Sequence, residues 1–300
     1  LLKKYILMLL LSGLLVLAAC ANGDSEADNP AEAETEDTET ATENHPEDSQ
    51  TEDSDTETKV PAEPEEEEQE ADQIADKDSE ILYELDESSW NLVPLEEGTE
   101  ENVVLLTIDD APDTYALEMA KTLKELDAPA IFFVNGHFLQ SEEDKEALKE
   151  IHEMGFAIGN HTYNHQQLSV ADEETQKREI IELSDEIEEI IGERPEFFRA
   201  PHGDNTDFAK EVVKEEGMLL MNWTYGYDYF EPYMDENKIR EAMITGEAPE
   251  VDIDYSLLQP GANLLMHDRE WTAAALADIV EGLREQGYEM ADPYSIKRSE

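Results

Sequence analysis

Asp109 and Asp110 stand side by side at the end of the apolar run 103–108, and Ala111-Pro112 follows them directly. A second apolar run, 156–160, ends in His161-Thr162-Tyr163-Asn164-His165. An aspartate pair means little in a chain with 77 acidic residues, but a pair at the mouth of a buried strand does. Charge taken out of water there must be paired, hydrogen-bonded or bound to a metal. Two imidazoles and one carboxylate suffice to bind a divalent cation with coordination positions left open. The other carboxylate is then left over as a base. The combination suggests a hydrolase.

The elements that must bring these clusters together are legible as apolar periodicity. Seven strand-like runs (103–108, 130–135, 156–160, 196–199, 218–223, 263–266 and 288–291) alternate with six helix-like stretches (113–126, 141–154, 171–191, 205–216, 235–245 and 271–286). Ser141 precedes three acids as an N-cap, and Gly155, Gly192, Gly217 and Gly287 follow last turns as helix stops. Strand and helix in alternation mean an α/β fold of parallel strands joined by crossover helices. About seven repeats favour a (β/α) barrel over an open sheet. Residues 79–101, with Ile81, Leu82, Tyr83, Trp90 and Leu92, are apolar enough to pack on the barrel as a cover.

In a parallel barrel the active site lies at the C-terminal ends of the strands. Asp109-Asp110, His161 and His165, Arg199-Ala200-Pro201-His202-Gly203, the stretch from Trp223 to Asp228, and His267-Asp268 all sit at such ends. Five clusters scattered through the sequence would converge on one rim. Plainer roles compete: a structural ion pair for Arg199, a strand-end cap for His267-Asp268, and simple packing, in place of a sugar-stacking platform, for Tyr225, Tyr227, Tyr229, Phe230 and Tyr233.

These clusters resemble the motifs of the NodB-homology polysaccharide deacetylases, carbohydrate esterase family 4. Thr107-Ile108-Asp109-Asp110 matches the first motif, His161 to His165 the second, Arg199 to Gly203 the third and Leu265-Met266-His267 the last, while Trp223 to Tyr229 resembles the fourth less closely. The resemblance spans about residues 100–295. It implies a distorted (β/α) barrel that removes N-acetyl groups from a glycan with a divalent metal, Zn2+ foremost, with Co2+, Ni2+, Mn2+ or Fe2+ also compatible with the ligand set. On this resemblance Asp110, His161 and His165 hold the metal, Asp109 is the base, and Arg199 orients Asp109 and keeps it ionised. His267 protonates the leaving amine, and Asp228 keeps that imidazole charged. Pro201 and His202 belong to the substrate pocket, with a backbone N–H near His202 facing the oxyanion, and Trp223 and Leu265 wall a place for the acetyl methyl. The chain departs from the family pattern at Ile108, Ala111, His202 and Tyr229.

The termini bound the setting. Lys3-Lys4, an apolar stretch too short to span a bilayer, and Leu17-Ala18-Ala19-Cys20 predict a signal peptide over 1–20 and resemble a bacterial lipobox, with Cys20 the lipidated residue. As the single cysteine, Cys20 excludes an intrachain disulfide. Residues 21–80 carry 25 acids against Lys59 and Lys77, a net of −23, and almost nothing large and apolar. Such a segment is expected to be a disordered, self-repelling linker. The remaining folded part, 81–300 with a core over 101–295, has 52 acids (77 less 25) and 16 bases (20 less Lys3, Lys4, Lys59 and Lys77), a net of −36. That acidity argues against nucleic acid as a partner. The expectation is a monomeric deacetylase lipid-anchored to the outer face of the cell membrane, acting on an acetylated glycan, peptidoglycan first. Chitin or an acetylated xylan is the alternative within this chemistry, and a non-catalytic glycan-binding barrel or a cation-buffering surface protein the alternative outside it.

Overall fold

The computed structural model describes residue 77 and residues 79–298. The expected signal peptide with Cys20, and all of the expected linker except 77, 79 and 80, lie outside the described residues. In chain order the elements are β1 (Tyr83–Leu85), β2 (Leu92–Pro94), β3 (Val103–Ala111), α1 (Ala116–Glu125), β4 (Ala130–Val134), α2 (Glu142–Glu153), β5 (Ala157–Asn160), α3 (Glu173–Ile191), β6 (Phe197–Phe198), α4 (Asp207–Glu215), β7 (Leu219–Leu220), α5 (Glu236–Thr245), β8 (Ala262–His267), α6 (Glu270–Glu285) and β9 (Glu289–Met290). All seven expected strands and all six expected helices are present. No helix among the described residues is long and apolar enough to cross a membrane.

Strands β3 to β9 form one parallel sheet in the order β7-β6-β5-β4-β3-β8, with β9 beside the first residues of β3. Past β7 the chain runs back to β8, where Tyr225 and Leu264 form a parallel bridge and Leu265 N–H donates to Tyr225 O at 2.8 Å. The sheet therefore curls, and its two edges meet through that one bridge: a distorted barrel.

Side chains alternate across each strand, which sorts them into an inner and an outer set. From β3, Leu106 and Ile108 point outward into a core shared with Met119 and Leu123 of α1 and Leu276 and Ile279 of α6. Leu105 points inward, with Ile131, Phe133, Ala157 and Phe197 from neighbouring strands and Met221 just past β7. This inner apolar layer is closed from below by Tyr83 and Leu92 of the β1–β2 hairpin and by Tyr294 and Ile296. The cover expected over 79–101 is thus a hairpin, although Ile81 remains exposed. Hairpin and barrel meet closely: Leu92 N–H donates to Gly261 O at 2.7 Å, and a Cβ on Gly261 would lie 2.0 Å from Leu92 O.

The helix signals behave as their chemistry requires. Ser141 and Asp144 complete a reciprocal capping box on α2, and Gly155, Gly192, Gly217 and Gly287 all adopt positive φ where helices end. Among the helix starts, that of α1 departs furthest from expectation. Helix α1 begins at Ala116 rather than 113, because the N–H groups of Asp113, Thr114, Tyr115 and Ala116 converge on the Asp268 carboxylate at 2.5–3.0 Å. A distant side chain caps this helix, where its own N-cap residue, Tyr115, makes no side-chain cap.

Candidate metal centre and active site

Alternation along β3 places Val103, Leu105, Thr107 and Asp109 on the inner face, so Asp110 should point out. It does not, for a backbone reason. The register with β4 shifts between Ile108 and Ala111, and Asp110 has φ +63°. The kink turns two consecutive carboxylates into one cleft. Positive φ in a non-glycine residue costs about 1–3 kcal/mol and marks functional segments when it clusters. Among the described residues seven non-glycines show it, and four of them are Asp110, Thr162, His165 and His202. The strand also runs through Asp109 and Asp110 to Ala111, beyond the expected end at 108.

Asp110 faces both histidines. Its Oδ1 lies 3.5 Å from His165 Nε2 and 3.9 Å from His161 Nε2, and one ligand atom from each of the three residues falls within 4.8 Å of the others. The Nδ1–H of His161 donates to Arg199 O at 2.7 Å, which fixes the tautomer and turns the Nε2 lone pair to the cleft. Burial keeps both rings neutral: it lowers the His161 pKa, and for His165 burial and the neighbouring His161 bring it down to about 4. Burial alone would raise the Asp110 pKa, but the positive charges that face it, His267 foremost and then Arg269, outweigh it and hold the carboxyl below its usual range. Neutral imidazoles and an ionised carboxylate are the forms that bind a divalent cation, so the donor set fits one.

Asp109 is engaged differently. Its Oδ1 accepts from Arg199 Nη1 at 2.7 Å, and its Oδ2 is 3.5 Å from His161 Nε2. Arg199 is completely buried in a polar layer above the inner apolar one. Nη1 also donates to Thr107 Oγ1 at 2.8 Å, and Nη2 donates to Asn222 O at 2.9 Å and to Asn263 Oδ1 at 3.3 Å. The guanidinium stacks on Phe133, 4.4 Å from the ring centroid. A rigid fork in that cage can hold one carboxylate oxygen and leave the other to the cleft.

His267 lies opposite Asp109 across the β3–β8 ladder. Its Nδ1–H donates to Asp228 Oδ1 at 2.7 Å, while Asp228 Oδ2 accepts from His267 N–H at 2.6 Å and Thr272 Oγ1 at 2.8 Å. Burial alone would lower the His267 pKa, but Asp228 foremost, then Asp109 and Asp110, raise it to about 9. A cation on Asp110 would offset the last contributions and leave that of Asp228. The imidazolium is therefore an acid available at neutral pH, and its bond to Asp228 stabilises the fold fully below the usual histidine pKa and loses that stabilisation as pH rises through about 9. In Asp228→Asn burial would prevail. The alkaline limb of the kcat/KM profile is expected to move down in pH; an unmoved limb would show that Asp228 does not keep His267 charged.

The cleft holds about 460 Å³. Asp109, Asp110, His161, His165, Asp228 and His267 line it together with His202, Trp223, Leu265, Tyr229 and Arg269. Gly226 lets the Trp223–Asp228 segment lie against β8, since a Cβ there would be 2.3 Å from Leu265 O. Arg199 works from below the cleft, and Pro201 is buried, opening the turn that carries His202, so the cleft wall forms without it. Of the aromatic cluster, Tyr225, Tyr227 and Tyr233 are core, their hydroxyls donating to Met243 O, Gly246 O and Glu250 Oε2. Tyr229, 44% exposed and edge-on to His267, reaches the cleft. Sequence reasoning missed Arg269, whose Nη2 donates to Asp110 Oδ2 at 2.5 Å. The available signal was a lone arginine next to the strand-end His267-Asp268.

A polysaccharide deacetylase family model matches residues 96–221. The chain is 33% identical over 192 residues to a peptidoglycan-N-acetylglucosamine deacetylase of Bacillus cereus, an alignment covering 63% of this chain and 84% of that protein. The structure of the peptidoglycan deacetylase PdaC of Bacillus subtilis superposes with a TM-score of 0.55 at 26% identity, over 64% of this chain and 87% of that one. A mutant of a carbohydrate esterase family 4 pseudoenzyme with restored enzymatic activity also superposes at 0.55 and 26% identity, over 63% of this chain and 65% of that one.

Proposed function

Because the chain belongs to the polysaccharide deacetylase family, carbohydrate esterase family 4, we propose that it removes N-acetyl groups from a cell-surface glycan, with peptidoglycan as the substrate and a divalent cation, Zn2+ first, on Asp110, His161 and His165. The observation that carries this reading is the division of the acidic pair: Asp110 faces two neutral imidazoles, while Asp109 is gripped by a buried guanidinium. Both relatives' names specify peptidoglycan deacetylation, which supports the choice of glycan.

A cation bound by the three residues supplies polarisation of the acetamide carbonyl and a lowered water pKa. Asp109 Oδ2 takes the proton of the attacking water, with Arg199 keeping the carboxylate aimed. The leaving nitrogen, poor as an anion, takes a proton from His267 as the C–N bond breaks. Water adds to the carbonyl carbon, and acetate and a free amine result. Leu265, Trp223 and Tyr229 keep the acetyl and sugar faces dry, and the His202 N–H is assigned to the oxyanion.

The setting proposed is extracytoplasmic: a monomer anchored by a lipid on Cys20, with residues 21–80 as spacer. Membranes from cells making the full chain should release acetate from N-acetylglucosamine oligomers and peptidoglycan, lose the activity to a chelator and regain it with zinc. In Cys20→Ser the activity should move to the soluble fraction. No acetate from either glycan with metal supplied would sink the enzymatic reading; membrane retention of the serine variant would sink the anchor.

A further inference from the structure

Asp110 has two carboxylate oxygens, and only one is turned to the histidines. Oδ1 faces His165 and His161 at 3.5 and 3.9 Å, whereas Oδ2 accepts from Arg269 Nη2 at 2.5 Å. Arg269 sits two residues past His267, at the start of α6, and makes no side-chain cap there. Its side chain instead lines the cleft. Nη1 donates to Asp268 O at 2.7 Å and lies 3.6 Å from Asp113 Oδ2. Asp113 is fixed in turn, since its N–H donates to Asp268 Oδ2 at 2.7 Å. A planar guanidinium anchored at one nitrogen presents the other at a set angle, which a lysine ammonium cannot do.

We propose that Arg269 is a positioning residue for the metal site: by occupying Oδ2 it makes Asp110 a one-oxygen ligand and directs Oδ1 toward His161 and His165. The inference rests on the metal site proposed above. Without Arg269 the carboxylate can turn and offer both oxygens, the mode favoured by hard cations that take many oxygen ligands. Two effects then oppose each other. Loss of a positive charge favours any cation, but Arg269 is one-third exposed and its field is screened by water. Loss of alignment weakens binding, and hydrogen-bond partners of ligating side chains typically contribute about 10–100-fold to metal affinity. Alignment therefore dominates.

The test measures zinc affinity of the full chain as wild type, Arg269→Gln and Arg269→Lys, against a competing chelator strong enough to strip weak carboxylate sites. Melting of the metal-free proteins and the visible spectrum of the Co2+-loaded proteins accompany it. The expected result is one tight zinc in the wild type, affinity lower by about 10–100-fold in Arg269→Gln, and partial recovery in Arg269→Lys. The Co2+ absorption of Arg269→Gln should weaken as a second oxygen joins the coordination sphere. Unchanged or tighter zinc binding in Arg269→Gln overturns the role of Arg269 alone, as does a loss that tracks a lowered metal-free melting temperature and is not recovered by lysine. No tight zinc in the wild type overturns the metal site and this inference with it.

Discussion

Replacing Arg199 by methionine is expected to destabilise the barrel by about 3–5 kcal/mol and to remove deacetylase activity. The guanidinium is wholly buried and bonded to Thr107, Asp109, the Asn222 carbonyl and Asn263, so its loss strands a nearly buried carboxylate and several polar partners. The stability term comes mainly from the unpaired Asp109, not from the intrinsic value of the ion pair. That has a corollary. Arg199→Met combined with Asp109→Leu, which removes both charges, should recover much of the lost stability and none of the activity. Urea unfolding of the single and double variants decides it. A single variant as stable as the wild type would mean that Asp109 is satisfied by something other than Arg199.

Turnover in Asp109→Asn is expected to fall by about 10²–10⁴-fold, the range associated with a positioned acid or base. Asparagine keeps the shape and can still accept from Arg199, so the fold should survive while the group that takes the proton disappears. The loss should fall on kcat with KM little changed, because Asp109 Oδ2 is assigned to the proton and not to the sugar. Steady-state kinetics on N-acetylglucosamine oligomers provide the check. A variant retaining more than about a tenth of wild-type kcat, far above the range for a lost base, would remove Asp109 from the chemistry.

Much of the barrel was legible because its signals are local. Continuous apolar runs, buried on both faces as parallel strands are, mark β3, β4, β5 and β8, and glycines at the helix ends and Ser141 before α2 punctuate the helices. The two-residue strands β6, β7 and β9 were found through their place in the alternation. The hairpin of β1 and β2 was legible only as something that packs, since three-residue strands carry too little pattern to declare themselves. The residues of the metal site were visible from their position after buried runs. What the sequence could not display was geometry that depends on partners far away: Asp268 starting α1 across more than 150 residues, and Arg269 closing on Asp110. The kink that turns Asp110 inward was equally hidden, because a positive φ at an aspartate leaves no mark on composition.

The division of labour between adjacent aspartates meets its most direct test in the metal content of two variants. Full-length Asp109→Asn and Asp110→Asn, loaded with zinc and dialysed against a chelator that strips surface carboxylates, are analysed for bound metal beside the wild type. Asp110 shares the cleft oxygen that faces His161 and His165, and Asp109 is turned to Arg199. Asp109→Asn should therefore keep one zinc per chain and Asp110→Asn should lose it. Equal loss in both variants, or zinc retained in Asp110→Asn, would contradict the assignment of metal to one carboxylate and proton to the other.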